Sequence, residues 1–146
     1  MRIWKSELSL DQANSWHNTM IERIGIAVTE IGDDYVRGTM PVDARTHQPY
    51  GLLHGGASVS LAETLGSLGA MMVADASSQL AVGLDINANH LRGVTDGIVT
   101  GTARPIHLGR STHVWEIRIE DERLRLVCIA RLTVAIVLRP NAAAPG

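Results

Sequence analysis

The run from Leu52 to Ala74, LLHGGASVSLAETLGSLGAMMVA, constrains this chain more than any other stretch. From about Gly56 to Ala74 it reads as one helix with apolar and small residues around nearly its whole circumference, and a helix of that kind has to be buried. His54, the serines, the glycines and the carboxylate of Glu63 argue against a bilayer span. The rest of the chain must therefore supply a cover for it.

The cover reads as a sheet. After the helix the period changes to two: Leu80, Val82, Leu84 and Ile86 alternate with Gly83, Asp85 and Asn87, the pattern of a half-buried strand. Ile98 to His107, Val114 to Glu120 and Leu124 to Leu138 continue in the same manner, with Asp121-Glu122-Arg123 as a hairpin turn. Upstream, Gly25 to Ile31 and Tyr35 to Met40 read as two strands around the turn Gly32-Asp33-Asp34, and Pro41 to Leu53 as a loop. Ser9 and Gln12 stand at capping-box spacing, which predicts a helix from about Leu10 to Ile21. The loops between the later strands are too short for crossovers, so the sheet is expected to be antiparallel with the long helix on its apolar face, an α+β arrangement. At 146 residues one domain is expected, over 1–138, with 139–146 as a frayed tail.

A net charge of −2 gives no reason to expect nucleic acid or an anionic membrane as a partner. The start, MRIWKSELSLDQ, lacks the basic-then-apolar pattern of a signal peptide. A single cysteine, Cys128, rules out an intrachain disulfide and fits a reducing compartment, so a soluble cytoplasmic protein is expected. Cys128 alternates with Leu126 and Ala130, as an inert core residue would.

The chemistry gathers on the long helix. His54-Gly55-Gly56 falls where its first turn offers unpaired N–H groups and the positive end of the macrodipole, and glycines there let a ligand approach the backbone. Such a start can bind an anion or stabilise a developing oxyanion; a plain helix cap is the simpler use of His54. Glu63 lies eight residues on, about 12 Å along the axis, too far for both to act on one carbonyl. A second copy of the helix running antiparallel alongside would close that gap, with Ala57, Ser58, Ala62, Gly66 and Gly69 permitting close approach. Ser67, one turn after Glu63, shares its face. A serine hydrolase would need G-x-S-x-G, which GASVS and LGSLG both miss. The histidines are scattered without ligand spacing, so no metal is expected.

The segment YGLLHGGASVSLAETLGS, with MPVDARTHQP before it and GLDINANHLR and RPIHLGRSTHVWEI after it, resembles the hotdog-fold acyl-CoA thioesterases over roughly Ile3 to Leu138. The nearest subgroup contains the 4-hydroxybenzoyl-CoA and 1,4-dihydroxy-2-naphthoyl-CoA hydrolases, with related phenylacetate-pathway and aryl-carrier proofreading enzymes. The resemblance implies a sheet wrapped around the helix, pairing into dimers and then homotetramers. It implies that Glu63 attacks the thioester or activates water, and that the Gly55 N–H polarises the carbonyl. His54 would support the turn, while Gln48 and Ser67 would orient carbonyl or water. Coenzyme A would lie along Gly83, His90, Leu91, Arg92 and Gly93, and along His107, Leu108, Gly109, Arg110, Ser111 and Thr112. No cofactor is implied beyond the coenzyme A of the substrate. Gly93 replaces a serine common among relatives. Arg92, Arg104, Arg110 and His107 against a single Asp96 also suggest a locally positive strip suited to phosphates. A non-catalytic acyl-CoA binding module on the same fold is the alternative function, and a hydratase a third.

Overall fold

The computed structural model describes residues 1–140. Its six strands form one antiparallel sheet in the order β1-β2-β4-β5-β6-β3. They are β1 (Ala27–Ile31), β2 (Val36–Pro41), β3 (Gln79–His90), β4 (Ile98–Leu108), β5 (Thr112–Glu120) and β6 (Leu126–Leu138). The long helix α3 (Gly55–Val73) lies against one face, as the apolar pattern predicts. Leu61, Leu65, Leu68 and Met72 have 2% or less of their surface exposed and pack on the sheet with Val36, Val99, Ile117 and Leu132. Each such side chain contributes about 1.5–3 kcal/mol by leaving water. Trp4, near the N-terminus, stacks on Trp115 of β5 with centroids 6.3 Å apart, and its indole N–H donates to Gly32 O at 2.7 Å.

Three sequence expectations change in the structure. The helix expected over 10–21 is instead two short turns, α1 (Leu10–Ala13) and α2 (Met20–Arg23). Asn14 ends the first: its Nδ2 donates to Leu10 O and Val28 O, while its Oδ1 accepts from Val28 N, tethering the segment to β1. The capping box at Ser9 and Gln12 is present.

The small residues of α3 serve its own sheet rather than a second helix. A Cβ on Gly66 would lie 2.7 Å from Leu132 Cδ2, and one on Gly69 would lie 2.6 Å from Trp115 Cη2. Ser58 and Ala62 are buried as well.

The third change is the phase of β3. A bulge between Gly83 and Asp85 shifts its register, so Ala81 on one side and Ile86 and Ala88 on the other pack on the core. Val82 and Leu84 are consequently 46% and 64% exposed.

Among the described residues β3 closes one end of the sheet and pairs only with β6. Arg139, one residue past β6, is held through its backbone N–H to Ser78 O and its Nε to Ala76 O. Most of the expected tail, 141–146, falls outside the described residues. Among the described residues no helix is long and apolar enough to cross a membrane.

Candidate active site

The loop after β2 delivers the N-terminus of α3. Asp43 accepts from the backbone N–H and the guanidinium of Arg45, which hold its carboxyl at about 2. Thr46 Oγ1 donates to Pro41 O, and Thr46 O accepts from His54 N at 2.8 Å. His47 Nε2 donates to Thr95 O. The side-chain oxygen of Gln48 accepts from Tyr50 N, which leaves its NH2 group to donate elsewhere.

His54 is the N-cap of α3, and its Nδ1 accepts from Gly56 N at 2.8 Å. The N–H groups of Ala57 and Ser58 both reach His54 O. Gly55 N–H is left as the first-turn donor with no partner among the described residues. It opens on a cavity of about 360 Å³ that also exposes Gln48, His90, Arg92 and Gly93. The imidazole of His90, at the end of β3, packs so closely on Gly55 that a Cβ there would lie 2.7 Å from Nε2.

Glu63 occupies a different cavity, also of about 360 Å³. Trp16, Met20, Ile21, Leu68, Met71 and Ala81 line it, with Thr64 and Ser67 as its other polar groups. Thr64 Oγ1 is occupied by Ser60 O. The carboxylate is half-buried, and its Oε1 lies where a Cβ on Gly83 would be 2.6 Å away. Among the described residues no Lys, Arg or His lines this cavity, so the carboxylate has no counter-ion there. Trp16, Met20, Ile21 and Met71 had no part in the reading of the sequence. Their only signal there was apolar character in a segment taken for a helix.

Within one chain these residues thus fall into two separate groups, Glu63 with Ser67 and Gly83, and Gly55 with Gln48 and His90. The segments proposed for coenzyme A divide the same way. Gly83 pairs through Val134 with His113, at the hairpin that holds His107 to Thr112. His90 to Gly93 belong to the opposite end of the sheet, since His90 pairs with Cys128 and then Ile119. The continuous positive strip read from the sequence does not form within one chain. Arg104 is moreover committed, its Nη1 lying 2.6 Å from Asp34 Oδ1 and its guanidinium 4.5 Å from the Tyr35 ring centroid. Cys128 is buried in β6, and burial pushes its thiol pKa up, as expected of an inert core residue. Among the described residues no group of three or more His, Cys, Asp or Glu could hold a metal ion.

A six-stranded antiparallel sheet on one long helix, with a carboxylate midway along that helix, is the arrangement that the resemblance to hotdog-fold thioesterases implies. Residues 50–128 match the Thioesterase superfamily, and the chain belongs to that family. It is 49% identical to the proofreading thioesterase EntH of Cronobacter sakazakii over 92% of this chain and 98% of that protein. Among solved structures it is similar to a mutant of the thioesterase PA1618 of Pseudomonas aeruginosa, with a TM-score of 0.92, 49% identity and coverage of 94% of this chain and 99% of that one. The thioesterase HI1161 of Haemophilus influenzae gives a TM-score of 0.92 at 44% identity, covering 97% and 99%.

Proposed function

We propose that this thioesterase hydrolyses acyl- or aroyl-coenzyme A in sites shared by two copies of the chain. Glu63 of one copy acts on the thioester carbon whose carbonyl oxygen accepts from Gly55 N–H of the other. Water supplies the new acyl C–O bond, the C–S bond breaks, and the products are a carboxylic acid and the coenzyme A thiol. This chemistry calls for no metal or redox cofactor.

The observation that carries the reading is the Glu63 carboxylate in an apolar cavity without a counter-ion. Mere binding of an acyl group gains nothing from a negative charge there, whereas a nucleophile or general base needs one. The free Gly55 N–H is suited to a developing oxyanion.

The β3 edge supports sharing. Twelve residues long and carrying exposed Val82 and Leu84, it is an edge that invites another strand. Antiparallel pairing of two β3 strands about a two-fold between Ile86 and Asn87 would set Gly83 beside the partner subunit's His90. Glu63 would then approach the partner subunit's Gly55. The two coenzyme A segments, separated within one chain, would meet across the same seam, so His107 to Thr112 of one copy and His90 to Gly93 of the other could hold one nucleotide. Two such dimers assemble into the tetramer.

Glu63→Ala should lower kcat by about 10²- to 10⁴-fold on benzoyl, phenylacetyl, hydroxynaphthoyl and aliphatic CoA thioesters while leaving the melting curve in place. Near-normal turnover would defeat the assignment. After a single turnover in oxygen-18 water, label in the Glu63 carboxylate identifies a mixed anhydride opened by water at the glutamyl carbon, because general-base hydrolysis labels only the product acid.

A further inference from the structure

We propose that Trp16 sets the acyl-chain length this enzyme accepts. This rests on the reading above, in which the Glu63 cavity receives the acyl group. With the thioester carbon at Glu63, the apolar part of that cavity is the space that the described residues open to a chain. Trp16 and Ile21 wall it on one side, and the same two side chains also wall a second cavity, of about 250 Å³. That second space is lined further in by Ala13, Ile26 and Val28, all buried core residues. The half-buried indole of Trp16 therefore stands as a partition between the acyl cavity and a second, mainly apolar one that Asn14, His17 and Glu22 also line.

The partition is held in place. Asn14 clamps the preceding turn to Val28 of β1 through both amide atoms. Thr19 Oγ1 donates to Trp16 O at 2.7 Å, and the same oxygen caps α2. Glu22 accepts from Asn18 N and meets His17 Nδ1, closing the loop between the two turns. These bonds hold the backbone that carries the indole, which places the ring as a stop. Each methylene that enters an apolar cavity favours binding by about four-fold, so kcat/KM should climb with chain length and break where the chain meets the indole. Removing the indole would join the two spaces and move the break to longer chains.

The test compares wild type with Trp16→Ala on straight-chain acyl-CoA thioesters from butanoyl to hexadecanoyl and on 4-alkylbenzoyl-CoA thioesters of increasing tail length. The expected result is a rise of about ten-fold or more in the long-to-short ratio of kcat/KM. Trp16→Phe, which keeps an aromatic stop, should hold the wild-type break. If Trp16→Ala fails to fold, Ile21→Ala removes the other half of the wall and should shift the break in the same direction. A folded Trp16→Ala or Ile21→Ala whose break stays at the wild-type length would overturn the proposal. A wild-type enzyme inactive on both series would instead sink the acyl-coenzyme A reading on which it rests.

Discussion

Helix α3 meets the sheet in two different ways. Toward β4, β5 and β6 the contact is dry and tight, with Leu61, Leu65 and Leu68 buried and Gly66 and Gly69 seated against Leu132 and Trp115. Toward the edge strand β3 the apolar contacts of Ala81, Ile86 and Ala88 are only partly buried, and polar groups enter, with Glu63 against Gly83 and His90 against Gly55. Glycine serves both sides for different ends. On the packed side it lets the helix backbone approach bulky core side chains. On the β3 side it leaves room for functional groups. The residues proposed for the chemistry lie where the sheet is unfinished, and the tight packing lies where it is complete.

Substitutions on the two sides should therefore separate activity from stability. The largest effect is expected at Gly55. Proline suits the first position of a helix but has no N–H, so Gly55→Pro deletes the donor that no side-chain change can reach. Gly55→Ala adds a Cβ near His90 and keeps the N–H, making it the matched control. Loss of an oxyanion donor costs about 10²–10³ in kcat, so the proline variant should fall at least ten-fold below the alanine variant. Equal rates would remove Gly55 N–H from the mechanism.

On the packed side the pattern should invert. In Gly69→Ala the new methyl would lie 2.6 Å from the indole of Trp115, which is fully buried and cannot swing away. Overpacking of this kind destabilises by about 1–3 kcal/mol, a fall of several degrees in Tm, while kcat of the folded fraction should persist. A variant that lost activity without melting earlier would blur the contrast between the two sides.

The smallest expected effect concerns pH. His113 is 4% exposed and its Nδ1 has no partner among the described residues. Burial, reinforced by the nearby charges of His107 and Lys5 and partly offset by Gly109, pushes its pKa below the usual 6.5. The unfolded chain therefore takes up a proton before the folded one does. The stabilisation from neutral His113 is complete above about pH 6.5 and declines as pH falls from there through the folded value. His113→Gln should lessen the drop in Tm between about pH 7.5 and about pH 5.5. An unchanged drop would assign the acid sensitivity elsewhere.

The order of elements, the antiparallel sheet and the long helix were all legible, because apolar period and turn residues encode them directly. The motif residues were legible too, since the HGG turn and Glu63 lie on one helix eight positions apart. Four things were not. The bulge after Gly83 reverses which residues of β3 face inward, and a count of alternation cannot register an inserted residue. Asn14 breaks the N-terminal helix through bonds to Val28, a partner fourteen residues away. The walls of the Glu63 cavity come from that same broken segment, so Trp16 and Met20 escaped notice with it. Charge counting along the chain also grouped Arg104 with a positive strip, although it pairs with Asp34 seventy residues earlier.

The central claim is that each reaction centre takes Glu63 from one copy and Gly55 from another. Mixing two inactive variants tests it most directly, by denaturing Glu63→Ala and Gly55→Pro together and refolding them in equal amounts. Random pairing of two-fold dimers would leave about a quarter of the sites intact, restoring about a quarter of wild-type kcat where neither variant alone shows any. A refolded mixture that forms mixed dimers and stays as inactive as its components would contradict the account.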